Sequence, residues 1–523
     1  MQNPSRKNFF SYSFLFGLFL LAASLPYSKF LMSLSEIILL LSWICEGGMK
    51  EKLRLFMKNK TALALSSLFI LHAIGLLYTA DLSYGFEDVK KKVPLMLLPL
   101  LFSTSIALSK QLFERILAVF TLSVIVSTVI CFFVLLDYGN KQILHPQQAS
   151  IFISHIRFGL LISMTVFILG YFFIESKSNS VKIFFAGLII WLIVFLIMME
   201  SAAGLVCTAA AFAVLIFRLI LISRDNKIRV ALLVLLILGG LIPMKIYYSA
   251  AAAFEPAPSG NTKLPLLTAS GNPYIHDTLN NEVENGNYIW RNVCESELTE
   301  AWNKRSQMKY SGRDLRGNDI KFTLIRFLAS KGLTKDAEGV NTLSERELQA
   351  IEKGVANVNY IGVFNPSARL QKIIWEFDVY LKGGNPSGHS VVQRLEFWKA
   401  AVGIIKENPL FGVGTGDVKN AFEDQYEKIN SPLTKEWRLR SHNQFLAIGT
   451  AFGFTGIILF LFTLFYPLFT DKNFNNYLYL MFFIIGFLSM ISEDTLESQA
   501  GVTFFAFFNS FFLFLYTDKQ LSE

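Results

Sequence analysis

Residues 394–456 gather side chains that can hold an anionic leaving group and move a proton. Arg394 and Trp398 stand four apart in 391–407, a stretch with amphipathic helical spacing that is stopped by Asn408-Pro409, so the two share one helix face. A guanidinium there can grip a diphosphate in bidentate fashion while the indole stacks on a sugar. The same pair equally suits a helix docked on a membrane surface, with Trp at the interface and Arg at a headgroup. Next comes Pro409-Leu-Phe-Gly412-Val-Gly414-Thr-Gly416-Asp417. Its spacing is not GxGxxG and no Walker lysine follows, which favours a tight turn with close backbone approach over a nucleotide loop. Such a turn can still offer N–H groups to a phosphate.

His442 follows Arg438 and Arg440 where polar sequence meets an apolar run. An imidazole there can act as general base for an acceptor hydroxyl; it can also simply cap a helix start, a task Asn443 could perform instead. His155 and Arg157 occupy a comparable place in Ser154-His-Ile-Arg-Phe-Gly159, as do Glu200-Ser201 and Glu493-Asp494. Ionisable groups at membrane depth are costly and usually face a protein interior, although an interfacial pair can snorkel to the headgroups.

The elements that must position these residues are apolar runs of bilayer-spanning length. Twelve candidate spans read at 9–25, 30–46, 61–78, 93–108, 113–136, 151–174, 182–199, 202–221, 228–250, 443–469, 475–491 and 499–517. Segments 47–60 and 218–229 are strongly basic, whereas 492–499 is acidic without a basic residue. That bias predicts both termini in the cytoplasm and the long polar segment outside. Lys90, Lys91 and Lys92 oppose the trend, but Asp81, Glu87 and Asp88 balance them. The expected division is spans one to nine in 1–250, an outer domain in 251–441 and the last three spans in 442–523. Most of the unusual polar groups then fall on the outer side, which points to a surface site and not a through-membrane path.

Composition agrees. Hydrophobic residues make up 53% of the chain, 50 of its 523 residues are Phe, and charged residues are only 17%, against roughly 25% in soluble proteins. The net charge of +8 lies largely in short loops between apolar runs, and no basic, aromatic-interleaved domain is present to track nucleic acid. Cys45, Cys131, Cys207 and Cys294 form no CxxC, so neither a zinc site nor a disulfide framework is expected. The first apolar run has signal-peptide features, but another span follows at once, and an uncleaved helix is the expectation.

The pattern Arg394-x-x-x-Trp398, Pro409-x-x-Gly412-x-Gly414-x-Gly416, then His442-Asn443 leading to Gly453-Phe-Thr-Gly456, resembles the O-antigen ligase family of bacterial membrane glycosyltransferases. The resemblance implies an all-α polytopic protein of about twelve transmembrane helices with a mainly helical periplasmic domain between spans nine and ten. It implies a Gram-negative inner-membrane enzyme that moves a glycan from undecaprenyl diphosphate to a hydroxyl, with inversion, without a metal or other cofactor. In ligases proper the acceptor is the lipid A–core oligosaccharide. By position, Arg394 corresponds to the arginine assigned to the donor diphosphate. His442 corresponds to the histidine that activates the acceptor or steadies the leaving group. Arg440 and Arg157 are further diphosphate candidates, with Trp398, Gly412, Gly414, Gly416, Asn443 and His155 in support. One departure stands out: many relatives carry Ser-Arg before the eighth span, where this chain has Glu200-Ser201-Ala202, so Arg157 is the candidate replacement.

Two enzymes of the same superfamily, an O-antigen polymerase and a protein O-oligosaccharyltransferase, would share this chemistry and differ in acceptor. A lipid-linked glycan flippase would instead spread ionisable residues through mid-membrane spans and repeat its halves; here few such residues fall at mid-span and no repeat is visible. No chemistry can be assigned to residues 255–390.

Overall fold

The computed structural model describes residues 4–136, 145–256, 264–361 and 366–516, and 72% of it is helical. The chain opens with ten helices: α1 (Pro4–Ser24), α2 (Lys29–Glu46), α3 (Met49–Lys58), α4 (Lys60–Gly75), α5 (Leu82–Lys92), α6 (Pro94–Ser103), α7 (Lys110–Leu135), α8 (His155–Glu175), α9 (Asn179–Met198) and α10 (Ala202–Ile222). Six more follow: α11 (Asn226–Ala252), α12 (Glu295–Arg305), α13 (Ile320–Ser330), α14 (Ala337–Asn341), α15 (Glu345–Glu352) and α16 (Pro366–Leu381). The chain closes with α17 (Val392–Glu407), α18 (Val418–Lys428), α19 (Gln444–Phe469), α20 (Tyr477–Ser492) and α21 (Gln499–Ser510).

Among the described residues seven helices are long and apolar enough to cross a membrane: α4 with the turn after it, α7 to α11, and α19. The pair α2 and α3, bent by 115°, raises the number to eight if counted as one span. Shorter apolar helices lie at Ser11–Ser24, Tyr477–Ser492 and Gln499–Leu515. The segment expected as the fourth span contains α6, ten residues with Pro99 inside. The chain is thus an all-α membrane protein with seven or eight full-length apolar helices and three shorter ones among the described residues.

The helices group into two compact units, one built from α1–α10 and α17–α21, the other from α11–α16. In the first, side-chain caps start the helices that carry polar groups: Ser154 Oγ accepts from the Arg157 N–H, Asn443 Oδ1 from Leu446 and Ser498 Oγ from Gly501. Its core is rich in phenylalanine, with Phe482, Phe504, Phe508 and Phe512 in mutual edge and tilted contacts.

The second unit has its own core, centred on Trp302, Leu324, Phe327, Leu328 and Ile351. Its polar groups tie loops together. Glu284 is buried and pairs with Arg326 at 3.0 Å, while Asn357 donates to it at 2.6 Å. Strands β1 (Val283–Glu284) and β2 (Asn287–Tyr288) form a two-stranded antiparallel hairpin. Most of residues 255–390 therefore belongs to a folded body with its own apolar core.

Candidate active site

Helix α17 buries Val392, Phe397, Ala400, Ala401 and Ile404, the apolar residues that amphipathic spacing supplies. Arg394 and Trp398 serve the protein interior. Trp398 donates its indole N–H to the Ser441 carbonyl at 3.0 Å, and the Arg394 guanidinium pairs with Glu493. Trp398 thereby braces the residue immediately before His442.

The glycine turn after α17 packs into a break in α19. Gly453 has φ of +61° and interrupts that helix, so Thr450 and Ala451 lose their usual N–H donors. The turn supplies them: Val413 N–H donates to the Thr450 carbonyl at 3.0 Å and Gly414 N–H to Ala451 at 2.9 Å. In return the Phe454 N–H reaches the Pro409 carbonyl at 2.8 Å. A Cβ on Gly412 would lie 2.3 Å from the Ala451 carbonyl carbon, and one on Gly453 2.5 Å from that of Leu410. Two backbones meet here at a distance only glycine permits. The N–H groups of Gly412, Gly414 and Gly416 bond to Asn408, Ala451 and Thr79. Close approach accounts for the motif, and these three N–H groups bond within the fold and not to a phosphate.

His442 sits one residue before the cap of α19. Asn443 supplies the cap and donates its side-chain N–H to the Ile491 carbonyl at 2.8 Å. His442 is left to other work. Its φ is +45°, a left-handed conformation that costs most side chains free energy. Its Nδ1 lies 3.2 Å from Glu493 Oε2 and 4.0 Å from Asp494 Oδ1, and its ring stacks on Phe397 with centroids 5.6 Å apart.

Arg157 reaches the same place from the first turn of α8, at 3.7 Å from Glu493 Oε2 and 3.5 Å from Asp494 Oδ1. His155 opens that helix two residues earlier and is half-buried. Arg440 stands one step away, bonded to Glu497 Oε2 at 3.1 Å. Glu200, with φ of +52°, and Ser201 shape the turn between α9 and α10. Among the described residues Glu200 forms no ion pair with this cluster.

Glu493 is the hub, its side chain only 1% exposed. Burial acts to raise its pKa, but the hydrogen bond with His442 and the charges of Arg394, His442 and Arg157 outweigh burial and hold it below the usual carboxylate value. An ionised carboxylate can only accept, so His442 donates Nδ1–H to it, and in the neutral tautomer this fixes, Nε2 is the ring's acceptor. Asp494 goes the other way, because burial outweighs the cations near it and raises its pKa. For Glu497, burial again acts upward, but Lys92 and Arg440 pull the value well below normal. The segment containing all three carboxylates has an acidic composition that reads as a solvated loop, yet its acids lie inside the cluster. The available signal is their number at the edge of an apolar run, where each unpaired charge would be expensive.

His442, Glu493 and Asp494 place ligand atoms within 4.8 Å of one another, a set that could hold a divalent cation. Arg394 and Arg157 already supply positive charge to these carboxylates, and a metal would have to compete with them.

A family model described as O-antigen ligase matches residues 347–461. These residues include Arg394, Trp398, the glycine turn, Arg440 and His442, but end before Glu493. No curated protein matches the chain significantly.

Proposed function

The chain carries an O-antigen ligase family domain on a multi-pass membrane protein, and from that premise we propose that it transfers a glycan from undecaprenyl diphosphate to an acceptor hydroxyl at the periplasmic face of the inner membrane. The observation that carries this reading is the convergence of His442 and Arg394, both within the matched domain, on the buried carboxylate of Glu493. A proton acceptor and an anion-binding cation thereby share one support.

In the proposed reaction the acceptor oxygen attacks the anomeric carbon as its proton passes to His442 Nε2. The bond from that carbon to the diphosphate oxygen breaks, its electron pair leaves with undecaprenyl diphosphate, and the sugar centre inverts. Glu493 fixes the imidazole tautomer and stabilises the imidazolium that forms. Arg394 and Arg157 neutralise charge growing on the diphosphate, a contribution that is large in a water-poor site. At rest both face carboxylates, so donor binding exchanges a carboxylate for a diphosphate. Arg440 stands behind them on Glu497. The lipid A–core oligosaccharide is the proposed acceptor.

Protein reconstituted in liposomes with undecaprenyl-diphosphate-linked glycan and lipid A–core tests this. The expected result is glycosylated lipid A–core and free undecaprenyl diphosphate, both lost in His442→Ala. Lengthening of the lipid-linked glycan would make the protein a polymerase, and glycan on added protein an oligosaccharyltransferase. Movement of the donor across the bilayer with no bond formed would overturn the enzyme reading.

A further inference from the structure

Lys92, which opposes the charge bias of its loop, has no exposed side-chain surface. Its ammonium lies 2.6 Å from Asp88 Oδ2 and 3.0 Å from Glu497 Oε2. Burying a lysine is expensive unless it is paired on several sides, so Lys92 belongs to an interior charge network, whereas Lys90 of the same run is exposed.

That network ends on the segment that carries His442. Glu497 Oε2 also takes Arg440, and Glu497 Oε1 accepts from the Gln444 side chain at 3.2 Å. Gln444 is buried and returns a bond, its Oε1 accepting the Leu496 N–H at 2.7 Å. Asn443 adds the bond to Ile491. Residues 440 and 444 are thus stitched to the loop between α20 and α21 and Asn443 to the last turn of α20, and His442 lies between the stitches in its left-handed conformation. An unfavourable backbone angle persists only where the surroundings over-determine it.

We propose that Glu497, held by Lys92, is a positioning residue that clamps residues 440–444 and so sets His442 over Glu493. Glu497 itself contacts neither donor nor acceptor. The inference deepens the catalytic reading above, but the placement of His442 can be measured without any turnover.

The test uses full-length protein in detergent micelles, with Glu497→Gln as the first variant, since it keeps shape and removes charge. Diethyl pyrocarbonate modification at His442 is followed by mass spectrometry, with His276 in the second unit as internal control. The expected result is a change of at least threefold in the His442 rate, an unchanged His276 rate and a melting temperature close to wild type. In the transfer assay kcat should fall about tenfold or more while donor KM stays within threefold, the split expected when only transition-state geometry is lost. If Glu497→Gln does not fold, Arg440→Met removes the same clamp from its more exposed side and should give the same change at His442. Unchanged His442 reactivity in folded variants overturns the clamp. Altered reactivity with unchanged kcat overturns its part in catalysis. Absence of transfer by wild-type protein, with the reactivity change present, would instead remove the transferase reading and leave the clamp standing.

Discussion

Glu493 accepts from His442 through one carboxylate oxygen, at 3.2 Å, and holds Arg394 through the other. One buried group therefore controls both the orientation of a base and the availability of a cation. Replacement by the isosteric, neutral Glu493→Gln separates the two. The imidazole loses its anionic partner, so kcat should fall by about 10²-fold or more, the scale of general-base catalysis. Arg394 and Arg157 lose a competitor, so donor KM should stay level or decrease. Steady-state kinetics with varied donor decide the matter, and a raised donor KM would contradict the exchange of carboxylate for diphosphate.

The same carboxylates give stability a direction with pH. Glu493 and Glu497 both titrate below their usual value of 4.5 in the folded protein. A depressed acid stabilises the fold above its unfolded pKa, and that contribution is lost as pH falls through the folded value. Melting temperature in detergent should therefore drop as pH is lowered from about 4.5. The drop should be shallower in Glu497→Gln, which has no proton to take up there. A variant curve as steep as wild type would assign acid sensitivity to other groups.

Much of this arrangement can be read from sequence, and the part that cannot has a common cause. Arg394 and Trp398 share a helix face by their spacing, and Asn443 is a recognisable cap. The glycine spacing signals close approach, but Gly453, against which the turn packs, lies 37 residues beyond Gly416 and has no periodic relation to it. Glu493 is 51 residues from His442, across a helix, a turn and a second helix. Lys92 is 405 residues from Glu497. Local spacing reports what lies on one element, and these pairs form only when separate elements pack. Helix length is a separate matter: apolar composition marks every run, whereas the length of each helix depends on where prolines, caps and bends fall, as in α6.

The exchange of hydrogen bonds between the glycine turn and the α19 break should be sensitive to one methyl group. Gly412→Ala and Gly453→Ala each force a Cβ into backbone at positive φ. Each should destabilise the protein by at least about 2 kcal/mol. Gly187→Ala, on an open helical surface with nothing within 4 Å, is the control and should melt like wild type. Comparable losses in all three would show that the close approach is not what makes these positions special.

Chelation addresses the possible cation among His442, Glu493 and Asp494. Arginines already balance the two carboxylates, so EDTA treatment should leave the transfer rate within twofold of the untreated protein. Added Zn²⁺ should inhibit, because an imidazole that ligates metal cannot accept a proton. Loss of activity on chelation, restored by one particular divalent ion, would make these three residues a metal site and require a different role for His442.

Arg157 is the remaining cation at Glu493, and it arrives from α8, far in sequence from the matched domain. Glu200-Ser201-Ala202 offers no arginine at the turn before α10, so the diphosphate can gain a second guanidinium at this carboxylate only from another element. Arg157 meets Glu493 and Asp494 together, with its side chain 16% exposed, a setting in which a charge contact is less screened than at an open surface. Arg157→Ala should raise donor KM about tenfold and lower kcat as well, since charge on the diphosphate grows toward the transition state. Arg157→Lys should recover only part of this, because a point charge cannot reproduce a bidentate grip. Normal transfer by Arg157→Ala would leave Arg394 as the sole cation at Glu493 needed by the donor and remove Arg157 from the site.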